Sequence, residues 1–462
     1  MLSVLNRYVP GRVFVLLIAE NTLITSGIVT TASFVMNHDG GASAQSNGLL
    51  FKGLLISAIC QLTFYYFSLY DLRAIESRQV LLGRLLSAIG VSCLALAVLV
   101  AIFPPIRLGI GVIELTFLCM VLIIMLGRLS LEWVNRWITA GERILLVGNG
   151  NMSISLAREI HTRSDLPIRL LGAISEPEFE ELIPNVAQLG PLEDLENIIK
   201  QQRPDRIVIA LRERRKRLPL EVLLRARSEG IHIEEAATLY QKLTGRIPVE
   251  TIYPSTLIYS DGFSKRSVSR LVITRIASTF VALCGLLLSA PLMILTAIAI
   301  RLESPGPVFY SQERVGKDGK SFNILKFRSM RADAEHNVNP QWASHNDPRI
   351  TRVGSIIRKL RIDELPQFVN ILKGEMNFVG PRPERPFFVQ LLTGKIPYYD
   401  LRHSVPPGVT GWAQVSYPYG ATIEDAKNKL EYDLFYAKNV SIAFDLAILF
   451  ETVKTVVLGR GR

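Results

Sequence analysis

The sequence predicts a membrane protein with three parts: a four-helix transmembrane bundle, an α/β Rossmann-like cytoplasmic domain, and a monotopic α/β domain with a re-entrant membrane helix. Three observations predict this. Apolar residues make up 49% of the 462-residue chain and mean hydropathy is +0.27, high for a wholly soluble protein. Apolar runs of spanning length crowd the first third. Behind them, strand-like and helix-like runs alternate, the pattern of a parallel sheet with crossover helices. Charged residues are 20% of the chain, and with the apolar content this excludes a disordered or fibrous protein. Cys60, Cys93, Cys119 and Cys284 all lie in apolar runs without metal-like spacing, which excludes a disulfide scaffold and a zinc ribbon. Lys and Arg number 52 against 41 Asp and Glu, a net charge of +11 that suits an anionic partner.

Four apolar stretches fill the first part, residues 13–36, 53–70, 85–106 and 108–127. A bilayer core of about 30 Å needs about 20 apolar residues in a helix, so each is long enough to span. The first is too long for a cleaved signal peptide, and no small-residue cleavage site follows it. Glu20 and Glu114 lie inside these stretches. An acid at that depth marks a pathway or faces a neighbouring helix, and no second group is spaced to form a relay. Arg7, Arg12, Arg73, Arg78, Arg84, Arg128 and Arg136 fall on one side of the bundle, Lys52 and Arg107 on the other. The positive-inside bias puts both ends in the cytoplasm.

Residues 143–147 read as a buried strand ending in Gly148-Asn149-Gly150, with a helical pattern over 153–160. Further strands are expected at 169–174, 206–211 and 231–235, with helices at 192–202 and 220–228 between them. Gly148-x-Gly150-x-x-Ser153 resembles a dinucleotide fingerprint with serine in the third glycine's place. Backbone N–H groups there would cradle a pyrophosphate at a helix N-terminus. Glu176 is a loose match for the ribose-binding acid. The other reading is a glycine-rich turn in a structural or regulatory module.

Residues 276–300 carry no charge over 25 positions, with Lys265, Arg266, Arg270 and Arg275 before them and Arg301 after. Both flanks are basic, and the tail beyond is rich in Lys and Arg, which favours one side of the membrane for both ends. Pro291 removes a helix hydrogen bond, and Ser289 is placed to cap freed backbone groups. The expectation is a helix-break-helix hairpin that dips into one leaflet; the alternative is a kinked span. The domain boundaries then read 1–140 for the bundle, 141–250 for the Rossmann-like domain, 251–275 for a linker, 276–300 for the re-entrant helix and 301–462 for the catalytic domain.

The last part carries the chemistry. Phe322 to Phe327 reads as a strand, and Lys326 and Arg328 lie at its end. Then come Arg358-Lys359-Leu360-Arg361-Ile362-Asp363-Glu364-Leu365-Pro366-Gln367, Gly380-Pro381-Arg382-Pro383-Glu384 and Pro407-Gly408-Val409-Thr410-Gly411-Trp412. A helix is expected from about Pro366, with Asp363 near its N-cap, where an anion is favoured. Two adjacent carboxylates can bind Mg²⁺ with substrate phosphates, or one can attack phosphorus. Arg358, Arg361 and Arg382 are of the type that holds phosphate bidentately, and Lys326 and Arg328 add charge. In isolation the same acids read as a cap and the arginines as surface groups. The stretch from Ser441 to Leu458 reads as a helix of the membrane surface or of the core. The six histidines show no metal or triad spacing.

From about residue 270 to the end, these motifs in this order resemble the bacterial sugar transferase family, the polyprenyl-phosphate hexose-1-phosphate transferases. With the preceding parts, the chain is similar to the long exopolysaccharide-biosynthesis type. The resemblance implies transfer of a hexose 1-phosphate, glucose or galactose, from a UDP-sugar to undecaprenyl phosphate, with release of UMP. It implies Asp363 as nucleophile, Glu364 with Asp363 at Mg²⁺, and Lys326, Arg328, Arg358, Arg361 and Arg382 on phosphates. It also implies a re-entrant helix broken at Pro291, although Ala290 separates Ser289 from that proline. His403-Ser404-Val405-Pro406 departs from the family's arginine-bearing version of this stretch. The implied setting is the bacterial cytoplasmic (inner) membrane, multi-pass, with the catalytic domain on the cytoplasmic face. Membrane lipids and a homodimer partner are implied; nucleic acid is not. Two rival readings are a membrane-anchored nicotinamide-dependent sugar-modifying enzyme and a non-catalytic polysaccharide-assembly scaffold.

Overall fold

The computed structural model describes residues 11–38, 48–67, 69, 78–104, 141–163, 168–175, 183–211, 218–252, 257, 268–331, 349–418, 420 and 422–457. Residues 6–236 and 237–462 form two compact units.

In the first unit, helices α1 (Gly11–His38), α2 (Leu49–Tyr66) and α3 (Arg78–Ile102) cover the first three apolar stretches. The fourth, with Glu114, lies outside the described residues. Ile24 and Ile28 of α1, Ile56, Cys60 and Phe64 of α2, and Leu85, Ala88 and Ile89 of α3 share one core. Some polar groups in this bundle pair with one another: Gln61 donates to the Leu17 carbonyl at 2.6 Å, and Thr63 shares a hydrogen bond with Ser92, while the buried Thr25 and Ser57 hydroxyl oxygens have no partner among the described residues. In hydrocarbon such pairing is favoured. Glu20 is buried, in keeping with an acid turned to a neighbouring helix. Among the described residues, three helices are long and apolar enough to cross a membrane: Leu49–Tyr66, Gly83–Ile102 and Val272–Glu303.

The α/β part of this unit runs β1 (Glu142–Val147), α4 (Asn151–Thr162), β2 (Ile168–Ser175), β3 (Gln188–Pro191), α5 (Leu195–Gln202), β4 (Arg206–Ile209), α6 (Leu220–Ser228) and β5 (His232–Glu235). The five strands form one parallel sheet in the order β3-β2-β1-β4-β5. Ile144, Leu145, Leu146 and Val147 are all fully buried, as a central parallel strand covered on both faces requires. Leu145 and Val147 share a core with Ile198 and Ile199 of α5 and Leu223 of α6. The expected strands and helices are all present; β3 is an addition. It is a four-residue edge strand that ends in Gly190-Pro191, a composition that hides it.

Gly148 ends β1 at φ +112°, and a Cβ there would come within 2.9 Å of the Ala210 and Leu211 backbone beyond β4. The glycine therefore serves strand packing. The Ser153 hydroxyl donates to the Gly148 carbonyl at 2.6 Å, which closes the loop on itself, and Gly150 caps α4 without a side-chain bond. Glu176 lies outside the described residues.

Helix α7 (Ala236–Thr244) lies in the second unit from Ala237 onward, within the 141–250 range that the sequence pattern assigns to the Rossmann-like domain. Its following turn is tied to the C-terminal elements. Trp412 donates from Nε1 to the Gly245 carbonyl at 2.9 Å, and the Val249 N–H donates to Glu431 at 3.1 Å. Then comes α8 (Val268–Glu303), which is helical throughout its 36 residues with Pro291 inside. The two helices expected on either side of Pro291 are thus one continuous element. The Ser289 hydroxyl donates back to Gly285 at 2.6 Å, within its own preceding turn, rather than to a carbonyl freed by the proline.

An antiparallel hairpin follows, β6 (Phe309–Val315) and β7 (Ser321–Phe327), with Tyr310 opposite Lys326. After it come α9 (Arg352–Lys359), α10 (Gln367–Lys373), β8 (Asn377–Val379), α11 (Pro386–Thr393), β9 (Gly408–Thr410), α12 (Trp412–Ser416), α13 (Ile423–Asn439) and α14 (Ile442–Val457). Strands β8 and β9 pair in parallel. Ala282 and Leu286 of α8 pack with Phe368 and Ile371 of α10. A Cβ on Gly285 would meet the Phe368 ring at 2.8 Å, so helix and ring touch across a glycine. Further along, Ile300 and its neighbours Met293 and Ala297 pack with Phe327 and Ile357. In α14, Phe444 and Ile448 are buried while Leu446 and Phe450 are half exposed.

Candidate functional site

The site is built on the turn between α9 and α10. Thr351 caps α9, its hydroxyl accepting from the Gly354 N–H at 2.9 Å, and the Glu303 carboxylate accepts from the Val353 N–H. Helix α9 stops at Leu360, and Arg361 takes φ +59°. That left-handed residue costs about 1–2 kcal/mol without glycine. It turns the chain into a 3₁₀ turn over Ile362–Glu364, and α10 starts only at Gln367 with Pro366 as its N-cap. Asp363 therefore stands one turn earlier than the N-cap position that the sequence pattern favours. The cause is Pro366: with no N–H it fits a helix start, and it draws the boundary past the acids.

Both acids are buried, Asp363 at 8% and Glu364 at 6% exposure. Glu364 Oε1 accepts from Arg382 at 2.9 Å and from Lys326 at 3.3 Å, and Oε2 accepts from Arg361 at 3.4 Å. Burial opposes charge on Glu364, but Arg382, Lys326 and Arg361 outweigh it and hold the carboxyl well below its usual range. Asp363 behaves in the opposite way. Burial and then the neighbouring Glu364 charge raise its carboxyl above the usual range, against the pull of Lys326, Arg382 and Arg358. Its Oδ1 is buried with no hydrogen-bond partner. A carboxylate oxygen out of water and unpartnered costs free energy unless something else occupies it. Burial also lowers the Lys326 ammonium, despite the Glu364 charge that favours it.

The supporting shell explains why these groups meet. Asn370 of α10 accepts from the Leu325 N–H at 3.0 Å and donates to the Asn323 carbonyl at 2.7 Å, which fixes β7 and so Lys326. Arg382 lies in the loop after β8. Of the residues singled out from the sequence, Lys326, Arg361 and Arg382 converge on Glu364, and Arg358 acts on Asp363 by charge. Arg328 does not join them. It is buried and donates to the Ser304 and Pro305 carbonyls at 2.8 and 2.9 Å, so it pins the exit from α8 instead of facing the acids. Its type suits a phosphate, but nothing in the sequence shows that two carbonyls already hold it. Among the described residues, no group of three or more His, Cys, Asp or Glu forms a metal cluster.

Sequence reading passed over Arg314, Tyr399, Arg402 and Asp433. Arg402 is buried and paired with Asp433 at 2.8 Å, and it donates to the Tyr399 hydroxyl at 2.5 Å. Arg314 donates to the Pro383 carbonyl at 3.1 Å. Their partners lie on other elements, so no local pattern reveals them. His403 is pushed down to about 4 by burial and by Arg402, which leaves it neutral at neutral pH.

Comparisons with known proteins agree with this division. A family model described as bacterial sugar transferase matches residues 269–459, and one described as a CoA-binding domain matches residues 66–237. The UDP-N-acetylgalactosamine-undecaprenyl-phosphate N-acetylgalactosaminephosphotransferase of Aeromonas hydrophila is 44% identical over 230 residues, 50% of this chain and 52% of that protein. The undecaprenyl-phosphate glucose phosphotransferase of Komagataeibacter xylinus is 33% identical over 327 residues, 69% of this chain and 60% of that protein. The chain thus spans about half of the first relative's length and three-fifths of the second's. The exopolysaccharide production protein PSS of Rhizobium leguminosarum bv. phaseoli is 42% identical over 191 residues, 40% of this chain and 94% of that protein. A match that covers nearly all of such a relative, together with the matched region around Asp363 and Glu364, settles the family: this chain belongs to the bacterial sugar transferases.

Proposed function

We propose that the chain transfers a sugar 1-phosphate from a UDP-sugar to undecaprenyl phosphate, giving undecaprenyl-diphospho-sugar and UMP, the first step of assembling an exopolysaccharide repeat. The observation that carries this is the unpartnered buried Oδ1 of Asp363 beside a carboxylate that gathers three cations. The relatives' names add the substrate class, with glucose and N-acetylgalactosamine both among them.

The chemistry follows from these groups. An Asp363 carboxylate oxygen attacks the sugar-bearing phosphorus. The bond from that phosphorus to the bridging oxygen breaks, and UMP leaves with the electron pair. The protein then holds the sugar phosphate as an acyl phosphate. An oxygen of undecaprenyl phosphate attacks the same phosphorus, the bond to Asp363 breaks, and the carboxylate is restored. Arg382, Lys326 and Arg361, gathered by Glu364, offset the diphosphate charge, and positioning and electrostatics supply most of the rate in such transfers. Arg358 adds charge near Asp363.

Mg²⁺ binds through one or two carboxylates and substrate phosphates. The buried, unpartnered Oδ1 of Asp363 fits that requirement by its chemistry, whereas both oxygens of Glu364 already carry cationic partners. Asp363 would hold the ion, with Glu364 adjacent, and the ion would supply charge neutralisation at the diphosphate.

The site belongs at the cytoplasmic membrane surface, and α8 is its floor. A straight 36-residue helix would be about 54 Å long, so a return to the same face requires the kind of bend that a helix-internal proline such as Pro291 gives. Residues on both sides of Pro291 pack against the same catalytic fold, from Arg275, which donates to the Leu372 carbonyl at 3.1 Å, to Ile300. The outer face, including Phe280, Leu287, Leu288, Leu295 and Leu302, is exposed and suits lipid. Contacts of both halves with one fold support, in place of a broken hairpin, a single helix bent at Pro291 that enters and leaves one leaflet over 276–300, followed by a catalytic domain over 301–462. Labelling of a cysteine introduced at Lys320 in sealed cells tests it: protection from an external reagent is expected, and labelling from outside overturns the arrangement.

The test of the reaction is incubation of purified protein with undecaprenyl phosphate, Mg²⁺ and a panel of UDP-sugars. UMP release with one of them, and a phosphosugar adduct mapped to Asp363 by mass spectrometry, are the expected results. No UMP from any donor overturns the proposal.

A further inference from the structure

The loop that carries Arg382 is held at every residue. The Gly380 N–H donates to Thr410 at 2.9 Å, and the Pro381 carbonyl accepts from Gly408 at 3.0 Å. The Arg382 carbonyl accepts from Arg402 at 2.8 Å, and the Pro383 carbonyl from Arg314 at 3.1 Å. The Glu384 carbonyl accepts from Val315 at 2.9 Å. Pro381 and Pro383 also fix their own φ angles. What remains free is the Arg382 side chain, and Glu364 claims it.

The bond at residue 382 itself comes from Arg402, whose own setting is costly. Arg402 is 7% exposed and its partner Asp433 2%. A buried ion pair is a weak source of stability, since an apolar pair of similar volume often does as well. Here the guanidinium has a second task. One end faces Asp433 at 2.8 Å and Tyr399, over whose ring it also lies at 5.1 Å, and the same Nη2 that meets Asp433 reaches the Arg382 carbonyl. The three contacts come from the 3₁₀ turn over Tyr399–Ser404, from α13 and from the Arg382 loop, so Arg402 is the point where they are locked together. We infer that Arg402, oriented by Tyr399 and Asp433, is a positioning residue that sets the main chain of Arg382 and thereby aims its guanidinium at the donor diphosphate.

The inference rests on the phosphotransfer reading above, and one experiment separates the two. UMP release and thermal unfolding are measured on full-length protein for Arg402→Lys, Arg382→Lys and the double variant. Lysine keeps the charge against Asp433 but cannot serve Asp433, Tyr399 and the Arg382 carbonyl together. Arg402→Lys is expected to lower UMP release about tenfold to a hundredfold, the scale of a displacement of roughly 1 Å at the reacting groups. On the Arg382→Lys background the same change is expected to cost less than about twofold, because coupled residues do not add. A structural role alone would lower the unfolding temperature and multiply the two losses, and multiplied losses overturn the inference. Where Arg402→Lys does not fold, Tyr399→Phe, which removes one hydroxyl, runs through the same cycle and decides by the same criterion. Wild-type protein that releases no UMP from any UDP-sugar counts against the phosphotransfer reading. In that case binding of UDP is read through the same cycle, and multiplied losses of affinity overturn the positioning role.

Discussion

The loop after β1 and the turn after α9 both carry residues that suit a phosphate, yet their polar groups end in opposite states. In the first, Ser153 bonds back to Gly148, and the glycine is required because strand β4 leaves no room for a Cβ. The serine hydroxyl is thus spent inside the loop. In the second, Asp363 keeps a buried oxygen without a partner, and three cations crowd its neighbour. The rest of the fold holds that turn, and in the proposed reaction its unmet electrostatic demand is what a substrate satisfies. A motif thus points to a ligand when the surrounding structure leaves its groups unsatisfied, and to packing when it does not.

Four outcomes break or sharpen this contrast, and a fifth concerns its surroundings. Asp363→Asn is expected to lower UMP release by about 10³-fold or more, the scale of removing a covalent nucleophile, while the protein stays folded. Near-normal turnover of that variant would erase the distinction. Glu364→Gln, which disperses the cations, is expected to cost about 10²-fold in turnover, comparable to losing preorganised charge stabilisation.

The pH profile comes next. Attack needs the Asp363 carboxylate, and burial with the Glu364 charge raises its proton affinity. Activity at low substrate should therefore fall as pH drops, with a midpoint above the ordinary Asp value of about 3.9. A midpoint at or below that value would show that the buried turn exerts no such pressure.

In the closed loop, Ser153→Ala should leave UMP release unchanged and cost about 1 kcal/mol in thermal unfolding, the value of one buried hydrogen bond. A loss of turnover without a loss of stability would move function into the first region.

A smaller effect lies at the turn after α7. Burial pushes Glu431 up to about 7, although the Val249 N–H and Arg246 favour its charge. A carboxyl raised in the folded state favours folding while protonated, and that contribution fades as pH rises from the usual carboxylate range through about 7. Glu431→Gln keeps an acceptor for Val249, so it should flatten the fall in melting temperature between pH 5 and 8, by a few degrees at the upper end.

Much of this was legible in the residues. Ile144 to Val147 announce a doubly covered strand, and Phe322 to Phe327 announce β7. Strand β6 was not legible, because Tyr310, Gln312 and Arg314 show no apolar alternation and only pairing with β7 defines it. At the site, the residues singled out in chain order include Lys326, Arg361 and Arg382, which the fold does bring together on Glu364 beside Asp363. That order could not show that Arg328 is already spent on two carbonyls, or that Arg402 and Asp433 meet across distant elements. Those are facts of tertiary packing, and a local pattern has no access to them.

The interlock of α8 with the C-terminal fold has a consequence for any excised domain. Ala282, Leu286, Met293, Ala297 and Ile300 supply part of the interior against which Phe368, Ile371, Phe327 and Ile357 close. Ile362 and Leu365, which flank the two acids, pack in these same clusters. A version cut free of α8 would expose that interior, and the interior would have to be rebuilt before the acidic turn could hold its shape.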